Sequence, residues 1–339
     1  MQLSCGGASY AWLEEWAAPS LAVAGAATWA HHDLAATADG RIVGFQSGSG
    51  HVCLLDRDGR LLERWPTGLV EGHGLTLAGP PGEERLWIAD PGLELVSNAA
   101  GAYDLRLAEP HGQVVAFDLR GRRLAALPTP GLPAYAADPY RPTAVAIDNG
   151  PDADGSIWVA DGYGQSLVHR FSRTGELELT LTGEEGAGRF DCPHALLIDR
   201  RAARPRLYVT DRGNARLAVY DLDGGFLGTV FDGLRSPTAL AVHGDRLIVA
   251  ELDARLAVLD RNDRPVGYLG RDDCAPAREG WPNAVADDGR HVRPPELRPG
   301  SFNSPHGLAV DAGGDLYVSE WVVGGRLICL RRQRTVPEA

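Results

Sequence analysis

The sequence predicts an all-β protein, a six-bladed β-propeller, and two observations lead to this fold class. First, a unit of four short apolar strand patterns recurs through the chain, and Gly and Asp turns separate the strands. Second, 42 glycines and 23 prolines suit many short strands joined by tight turns. A ring of six four-stranded units removes the long exposed edges that an open sheet would leave.

The clearest unit covers residues 141–181. Its four strand patterns show the apolar alternation of half-buried strands, and Thr174-Gly175 makes the last turn. The strands are expected at 142–148, 156–163, 167–171 and 176–181. This unit therefore defines the order in which the other units are to be read.

The same order of strands recurs six times in what we predict to be one domain, 1–339. The units lie near 32–65, 73–127, 141–181, 192–230, 236–270 and 304–333. The last unit ends before a fourth strand, whereas residues 10–17 are strand-like and precede the first unit. We therefore expect 10–17 to complete the sixth blade and close the ring.

Two connections, 93–110 and 271–303, are longer than ordinary strand connections, so we expect them to lie over one face as lids. The aromatic residues Trp281, Phe302 and Trp321 are candidates for a pocket entrance, and packing in the core or a lid is the alternative for each.

Charge and cysteine content restrict the class of partner and the compartment. The net charge is −12 without a basic run, which argues against nucleic acid and anionic membranes as partners. No apolar stretch reaches the roughly 18 residues of a membrane span, and the N-terminus lacks a secretory pattern. Five scattered cysteines without a CxxC favour a cytoplasmic protein. The oligomeric state stays open.

Histidine recurs at the start of several units. His73, His194 and His306 occupy this position, and Thr143 and Thr238 occupy it in two other units. His32 fits the first unit more loosely, because His31 beside it could shift the register. Equivalent positions in a ring face the same axis, so these imidazoles should converge and bind a metal. The alternative is that histidine is merely tolerated at a polar strand start.

The repeats resemble NHL repeats over nearly the whole chain, and bacterial relatives of the peptidyl-α-hydroxyglycine α-amidating lyase domain in particular. The motifs that carry the resemblance are Val159-Ala-Asp-Gly-Tyr-Gly-Gln-Ser, Gly188-Arg-Phe-Asp-Cys-Pro-His-Ala-Leu, Tyr208-Val-Thr-Asp-Arg-Gly-Asn-Ala-Arg and Gly300-Ser-Phe-Asn-Ser-Pro-His-Gly-Leu-Ala-Val-Asp.

The resemblance implies a zinc-dependent lyase that splits an α-hydroxylated amide into an amide and an aldehyde. By this resemblance the ligands would be His73, His194 and His306, and the repeat position of His32 makes it a candidate fourth ligand. Tyr163 would transfer a proton, and Arg212 would orient an anionic group of a small-molecule substrate. A buried aromatic role for Tyr163, and a salt bridge from Arg212 to Asp211 or Glu251, are the structural alternatives.

The chain departs from that family in the first blade. Ser47 stands where the family usually has an arginine, and His32 stands where it normally lacks a histidine. A changed substrate or a changed metal, such as iron, is therefore an open alternative. So are another metal-dependent hydrolase or oxygenase reaction and a non-enzymatic binding propeller.

Overall fold

Six antiparallel sheets form the blades of a propeller in the computed structural model, which confirms the predicted fold class. The first strands of successive blades contact one another in a closed ring around the axis. The structure describes residues 1–14, 16–17, 21, 29–97, 103–107, 111–230 and 233–333.

The strands are numbered in chain order. The N-terminal pair is β1 (Gln2–Cys5) and β2 (Ala8–Leu13). Blade 1 contains β3 (Leu34–Ala36), β4 (Ile42–Gln46), β5 (His51–Leu55) and β6 (Leu61–Pro66). Blade 2 contains β7 (Gly74–Ala78), β8 (Arg85–Asp90), β11 (Gln113–Asp118) and β12 (Arg123–Ala126), with the hairpin β9 (Leu93–Ser97) and β10 (Tyr103–Leu107) inserted.

The remaining blades follow the same plan. Blade 3 contains β13 (Ala144–Ile147), β14 (Ile157–Asp161), β15 (Leu167–Phe171) and β16 (Leu177–Leu181). Blade 4 contains β17 (Pro193–Asp199), β18 (Arg206–Asp211), β19 (Arg216–Tyr220) and β20 (Phe226–Val230). Blade 5 contains β21 (Pro237–His243), β22 (Arg246–Glu251), β23 (Arg255–Leu259) and β24 (Pro265–Leu269). Blade 6 contains β27 (Pro305–Val310), β28 (Leu316–Glu320) and β29 (Arg326–Gln333).

The N-terminus closes the ring, as the sequence predicts. Strand β2 pairs antiparallel with β29, with Trp12 opposite Leu330, and β1 adds a further outer strand. The paired segment is Ala8–Leu13 rather than 10–17, because Trp16 leaves the sheet and packs on Tyr317 with ring centres 4.8 Å apart.

The core lies between the blades rather than in one centre. Among the described residues, one apolar cluster fills the space between each pair of adjacent blades. Side chains of a strand alternate between its two faces, so each blade contributes to the cluster on either side of it. The largest of these side chains, such as Trp158 in blade 3 and Phe45 in blade 1, are fully buried.

Near the axis, the inner strands approach one another closely. A Cβ on Gly74 would lie 2.5 Å from the carbonyl oxygen of Thr143, and one on Gly307 would lie 2.7 Å from that of His32. Only glycine allows this approach of one blade's backbone to the next. It brings the side chains of the unit-start residues together on the axis.

Two long connections form small elements of their own. The hairpin β9–β10 replaces the short turn that joins the second and third strands in the other blades. The connection between blades 5 and 6 contains a 3₁₀ turn, Ala275–Ala277, and a hairpin of β25 (Ala284–Val285) and β26 (His291–Val292). A one-turn helix, Ala134–Ala137, precedes blade 3. Among the described residues, no helix has the length and apolarity needed to cross a membrane.

Candidate metal centre

Four buried histidines meet on the propeller axis. His73, His194 and His306 come from the starts of the inner strands of blades 2, 4 and 6, and His31 comes from the segment before β3. One ring nitrogen of each lies within 4.8 Å of those of the other three, and each residue is only 2–3% exposed. The structure thus brings together the three histidines that the repeat pattern selects.

The fourth member of the group is His31, whereas the sequence analysis selected His32. His32 is also buried but is not part of this histidine group. Its Nδ1 lies 3.0 Å from the carbonyl oxygen of Asp33. The repeat register could not separate two adjacent histidines, because β3 begins only at Leu34 and the preceding residues are not paired as a strand.

Three of the four imidazoles are oriented through Nδ1. Nδ1 of His73 lies 2.7 Å from the carbonyl oxygen of Thr143, and Nδ1 of His194 lies 2.8 Å from that of Thr238. A carbonyl only accepts, so Nδ1 of both rings carries the proton and Nε2 keeps its lone pair. Nδ1 of His31 lies 3.0 Å from Oε2 of the buried Glu71. Threonine at the unit start thus supplies the backbone oxygen that fixes the histidine of the preceding blade.

His306 differs from the other three. Both of its ring nitrogens are buried and have no hydrogen-bond partner among the described residues. Leaving a buried nitrogen without a partner costs about 1–3 kcal/mol, so such a ring is expected where a ligand completes it.

The hydroxyl of Tyr163 contacts three of the four histidine rings. Its oxygen is 3.0 Å from Nε2 of His31, 3.0 Å from Nε2 of His73 and 3.1 Å from Nε2 of His194. A phenol has one proton to donate, whereas His73 and His194 both present lone pairs. The protein alone therefore leaves at least one inward nitrogen without a donor, and a cation would satisfy all of them together.

Burial keeps the four imidazoles neutral. It lowers the pKa of His73 to about 3 and places the pKa values of His31, His194 and His306 well below the ordinary value. Neutral imidazole is the form that binds a metal, so the site is ready to bind at neutral pH. Burial also raises the pKa of Glu71 well above its usual range, and Asp90 and Glu94 add to that effect.

Tyr163 and Arg212 form the polar edge of the group. A guanidinium nitrogen of Arg212 lies 3.4 Å from the Tyr163 oxygen, and its carbon lies 5.5 Å from the centre of the ring. Burial raises the pKa of Tyr163 above that of an ordinary phenol, although Arg212 acts in the opposite direction. Tyr163 therefore holds its proton at neutral pH.

The guanidinium of Arg212 is not used in a salt bridge within the described chain. Asp211 pairs with Arg216 at 2.7 Å, and Glu251 pairs with Arg255 at 2.5 Å. The two acids named as alternatives are thus occupied, and Arg212 remains able to bind an anion.

A cavity of about 280 Å³ lies against the histidines. Its lining combines polar groups of the axial site with apolar side chains, namely His31, Leu93, Leu95, Tyr163, Arg212, His306 and Trp321. Leu93 and Leu95 belong to the inserted hairpin, so this part of the 93–110 connection does border the site. Residues 98–102 and 108–110 of that connection lie outside the described residues.

Only one of the three aromatic candidates lines the cavity. Trp321 does so, with its ring centre 5.8 Å from that of His31. The indole of Trp281 donates to the carbonyl oxygen of Asn303, and Phe302 packs on Trp12. In the 271–303 connection, Asn283 accepts a hydrogen bond from the backbone N–H of Val323, next to the Trp321 loop.

Besides His31, the site residues that sequence reasoning missed are Glu71, Leu93 and Leu95. Glu71 stands two residues before His73, but no other unit repeats an acid there. The two leucines lie in an insertion that the repeat comparison leaves unaligned. Ser47, which replaces the arginine of the resembled family, is buried, and its hydroxyl has no partner among the described residues.

Fold and site together define a β-propeller with an axial polyhistidine centre. A family model for the NHL repeat matches residues 302–327. NHL repeat-containing protein 3 of Mus musculus is 30% identical over 238 residues, which cover 66% of this chain and 61% of that protein. The protein of the same name from Homo sapiens is 28% identical over 232 residues, covering 65% and 60%. The chain thus spans less than two thirds of the length of these relatives. The chain is therefore a six-bladed β-propeller that contains an NHL repeat at residues 302–327 and is similar to NHL repeat-containing proteins.

Solved structures with the same fold include a streptogramin B lyase. It is 11% identical, has a TM-score of 0.56, and covers 96% of this chain and 98% of its own. A catalytically inactive variant of virginiamycin B lyase from Staphylococcus aureus, with quinupristin, has a TM-score of 0.54 at 11% identity. It covers 95% of this chain and 99% of its own. At this identity the likeness establishes the fold.

Proposed function

We propose that this protein is a metal-dependent, lyase-like enzyme that acts on a small anionic substrate. The observation that carries the proposal is the convergence of four neutral, buried imidazoles on one point, with His306 unpartnered. Burying four such rings together is costly unless a ligand uses their lone pairs.

The donor set fits a divalent transition metal. Imidazole nitrogen suits zinc, iron, copper and nickel, whereas calcium and magnesium prefer oxygen ligands. The Nδ1 contacts with Thr143, Thr238 and Glu71 match the outer hydrogen bonds that orient metal-binding histidines. We propose zinc first and iron as the alternative.

The surrounding residues support acid–base chemistry on an anion. A bound divalent ion would supply Lewis-acid polarisation of a substrate oxygen. Arg212 would hold a carboxylate through its planar fork, beside the Tyr163 hydroxyl. Tyr163 would donate its proton to a leaving nitrogen, or accept one where the positive charge of the site lowers its pKa. Leu95 and Trp321 would keep bulk water away from that proton.

The reaction we propose is cleavage of the C–N bond of an α-hydroxyamide. The hydroxyl proton is removed, the carbonyl of an aldehyde forms, and the C–N bond breaks while the nitrogen takes up a proton. Support comes from the resemblance of the Asp-Gly-Tyr and Asp-Arg motifs that place Tyr163 and Arg212 at the site. A cavity of about 280 Å³ favours a small molecule over a long peptide.

Oxygen chemistry is the second candidate, because His31 adds a fourth nitrogen donor to the three of a zinc-type site. A wholly nitrogen-ligated centre also suits iron. A non-enzymatic binding propeller is the third possibility, and it would show ligand binding without turnover. All five cysteines are free, which supports our proposal of a reducing, cytoplasmic location.

Elemental analysis tests the metal directly. The untagged protein should be purified without chelators, and wild type should be compared with His194→Ala. We expect about one equivalent of zinc or iron in wild type and its loss in the variant. His169→Ala is the matched control, because His169 is fully buried in blade 3 and contacts Tyr135 instead of the axis. A wild type that binds no divalent transition metal would refute the proposal.

Turnover tests the reaction. N-benzoyl-α-hydroxyglycine is a suitable small anionic probe, because the proposed cleavage releases benzamide and glyoxylate. We expect Tyr163→Phe to lower kcat and Arg212→Gln to raise KM chiefly. Dioxygen uptake by the iron-loaded protein without release of glyoxylate would favour the oxygenase instead.

A further inference from the structure

We infer that His31, His73 and His194 are the principal ligands, that Glu71 is the positioning residue of His31, and that His306 is the exchangeable ligand. The inference rests on the proposed metal site. It changes the ranking of the ligands, because the repeat pattern alone selects His73, His194 and His306.

Three of the four rings are oriented by a contact at Nδ1. Each of the three principal rings has its Nδ1 within 3.0 Å of an oxygen, from Glu71, Thr143 or Thr238. The carbonyl partners fix the tautomer of His73 and His194 with the lone pair on Nε2, and the Glu71 contact fixes the ring plane of His31. Within the described chain, neither nitrogen of His306 has such a partner. His306 is therefore the weaker ligand.

The Nε2 atoms of the same three rings surround the Tyr163 hydroxyl. The Tyr163 oxygen lies 3.0 to 3.1 Å from Nε2 of His31, His73 and His194. An atom nearly equidistant from three nitrogens marks their point of convergence. Within the described residues, the hydrogen bonds of the Tyr163 hydroxyl reach these three rings and Arg212, and His306 is not among them.

Glu71 lies on the same segment as His73 and contacts His31. It stands two residues before His73, and Asp90 accepts a hydrogen bond from its backbone N–H at 3.1 Å. One segment thus delivers both a ligand and the anchor of another ligand. The Glu71 side chain is 3% exposed and has no arginine partner among the described residues, so His31 is the group that it orients.

His306 also borders the cavity, where an exchangeable ligand is useful. If the site holds a metal, the ring of His306, which has no outer anchor among the described residues, would be the ligand that leaves a coordination position to a substrate oxygen. The released imidazole would then stand beside the substrate with a free nitrogen. Release of His306 would thus open the coordination position that the proposed reaction needs.

Zinc affinity, measured by competition with a chromophoric chelator, ranks the ligands. We expect His31→Ala to lose more than roughly 100-fold, Glu71→Gln roughly 10- to 100-fold, and His306→Ala less than about 10-fold. Glu84→Gln is the matched control. Glu84 is also a buried acid, but its carboxylate accepts backbone N–H groups of Ala38 and Gly82 and touches no histidine. It should leave the affinity unchanged.

A double-mutant cycle separates positioning from a general structural effect. If Glu71 acts through His31, Glu71→Gln should weaken zinc binding in wild type and have no further effect in the His31→Ala background. The visible spectrum of the cobalt-substituted protein should change in Glu71→Gln and stay unchanged in Glu84→Gln. Equal effects of Glu71→Gln in both backgrounds would overturn its positioning role.

The outcomes distinguish this inference from the proposed function. Zinc binding by wild type, with His306→Ala the most damaging change, would refute the ranking and leave the metal site intact. Absence of both zinc and iron binding in wild type would refute the proposed function itself. His306→Gln keeps more of the side-chain volume, so it serves as the second variant if circular dichroism shows that His306→Ala is unfolded.

Discussion

Blades 2, 4 and 6 differ from blades 3 and 5 in the side chain at the start of the inner strand. The even blades place histidine at the unit start, and blades 3 and 5 place Thr143 and Thr238 there. The carbonyl oxygens of these threonines accept from Nδ1 of His73 and His194. The backbone position is equivalent in both sets, so the side chain alone decides between ligand and support.

The threonine hydroxyls have a separate role. Oγ1 of Thr143 donates to the carbonyl oxygen of Pro193 at 2.9 Å, and Oγ1 of Thr238 donates to that of Pro305 at 3.0 Å. These prolines immediately precede His194 and His306. Each threonine therefore supports the histidine of the preceding blade through its backbone and the start of the next blade through its side chain.

The largest effect should come from turning a ligand position into a support position. His73→Thr removes one lone pair from the centre, and we expect a loss of zinc affinity of roughly 100-fold or more. The fold should persist, because threonine occupies the equivalent position in two other blades. Chelator competition and elemental analysis measure the loss, and an unchanged metal content would show that His73 is not a ligand.

Thr238→Val breaks the support instead. The buried carbonyl of Pro305 loses the hydroxyl that donates to it. We therefore expect the free energy of unfolding, measured in urea, to fall by about 1–3 kcal/mol. Metal content should stay the same, because the Thr238 carbonyl still accepts from His194. If the variant lost metal without losing stability, the threonine side chain would have to act at the centre.

A buried histidine away from the axis sharpens the comparison through pH. Burial lowers the pKa of His169 to about 4, so the unfolded chain binds its proton first as the pH falls. This residue's contribution to stability is thus lost between about pH 6.5 and 4, at about 1.4 kcal/mol per pH unit. As the pH falls through that range, the free energy of urea unfolding should decline less steeply in His169→Gln than in wild type. His51→Gln, at a half-buried position, is the control, and equal slopes in wild type and His169→Gln would contradict the prediction.

Thr143→Ser should have the smallest effect. Serine keeps both the hydroxyl and the carbonyl and loses one buried methyl group, which costs about 0.8 kcal/mol. Zinc affinity should match that of wild type. If Thr143→Ser lowered the free energy of urea unfolding more than Thr143→Val, the methyl group of Thr143 would contribute more to stability than its hydrogen bond to Pro193.

Repetition made much of the fold and part of the site predictable. The six units, the closing N-terminal strand and the convergence of His73, His194 and His306 all follow from one pattern, because equivalent positions in a ring face one axis. Tyr163 also reaches the site with Arg212, where the resemblance placed them.

The choice between His31 and His32 was decided differently. Neighbouring residues in an irregular segment have no repeat register, so only the packing of blade 1 against blades 2 and 6 could select one. Glu71 and the leucines of the inserted hairpin belong to no repeated position either, and their approach to the axis depends on the path of single connections.

The sequence by itself determined the ring, because hydrophobic periodicity and turn residues act locally and are repeated six times. It also determined which blades present histidine to the axis. The tertiary structure alone decided which histidine of the first blade joins them and which rings are anchored through Nδ1. It also left His306 without such an anchor among the described residues. Those properties depend on contacts between residues of different blades, and a repeat pattern holds no information about them.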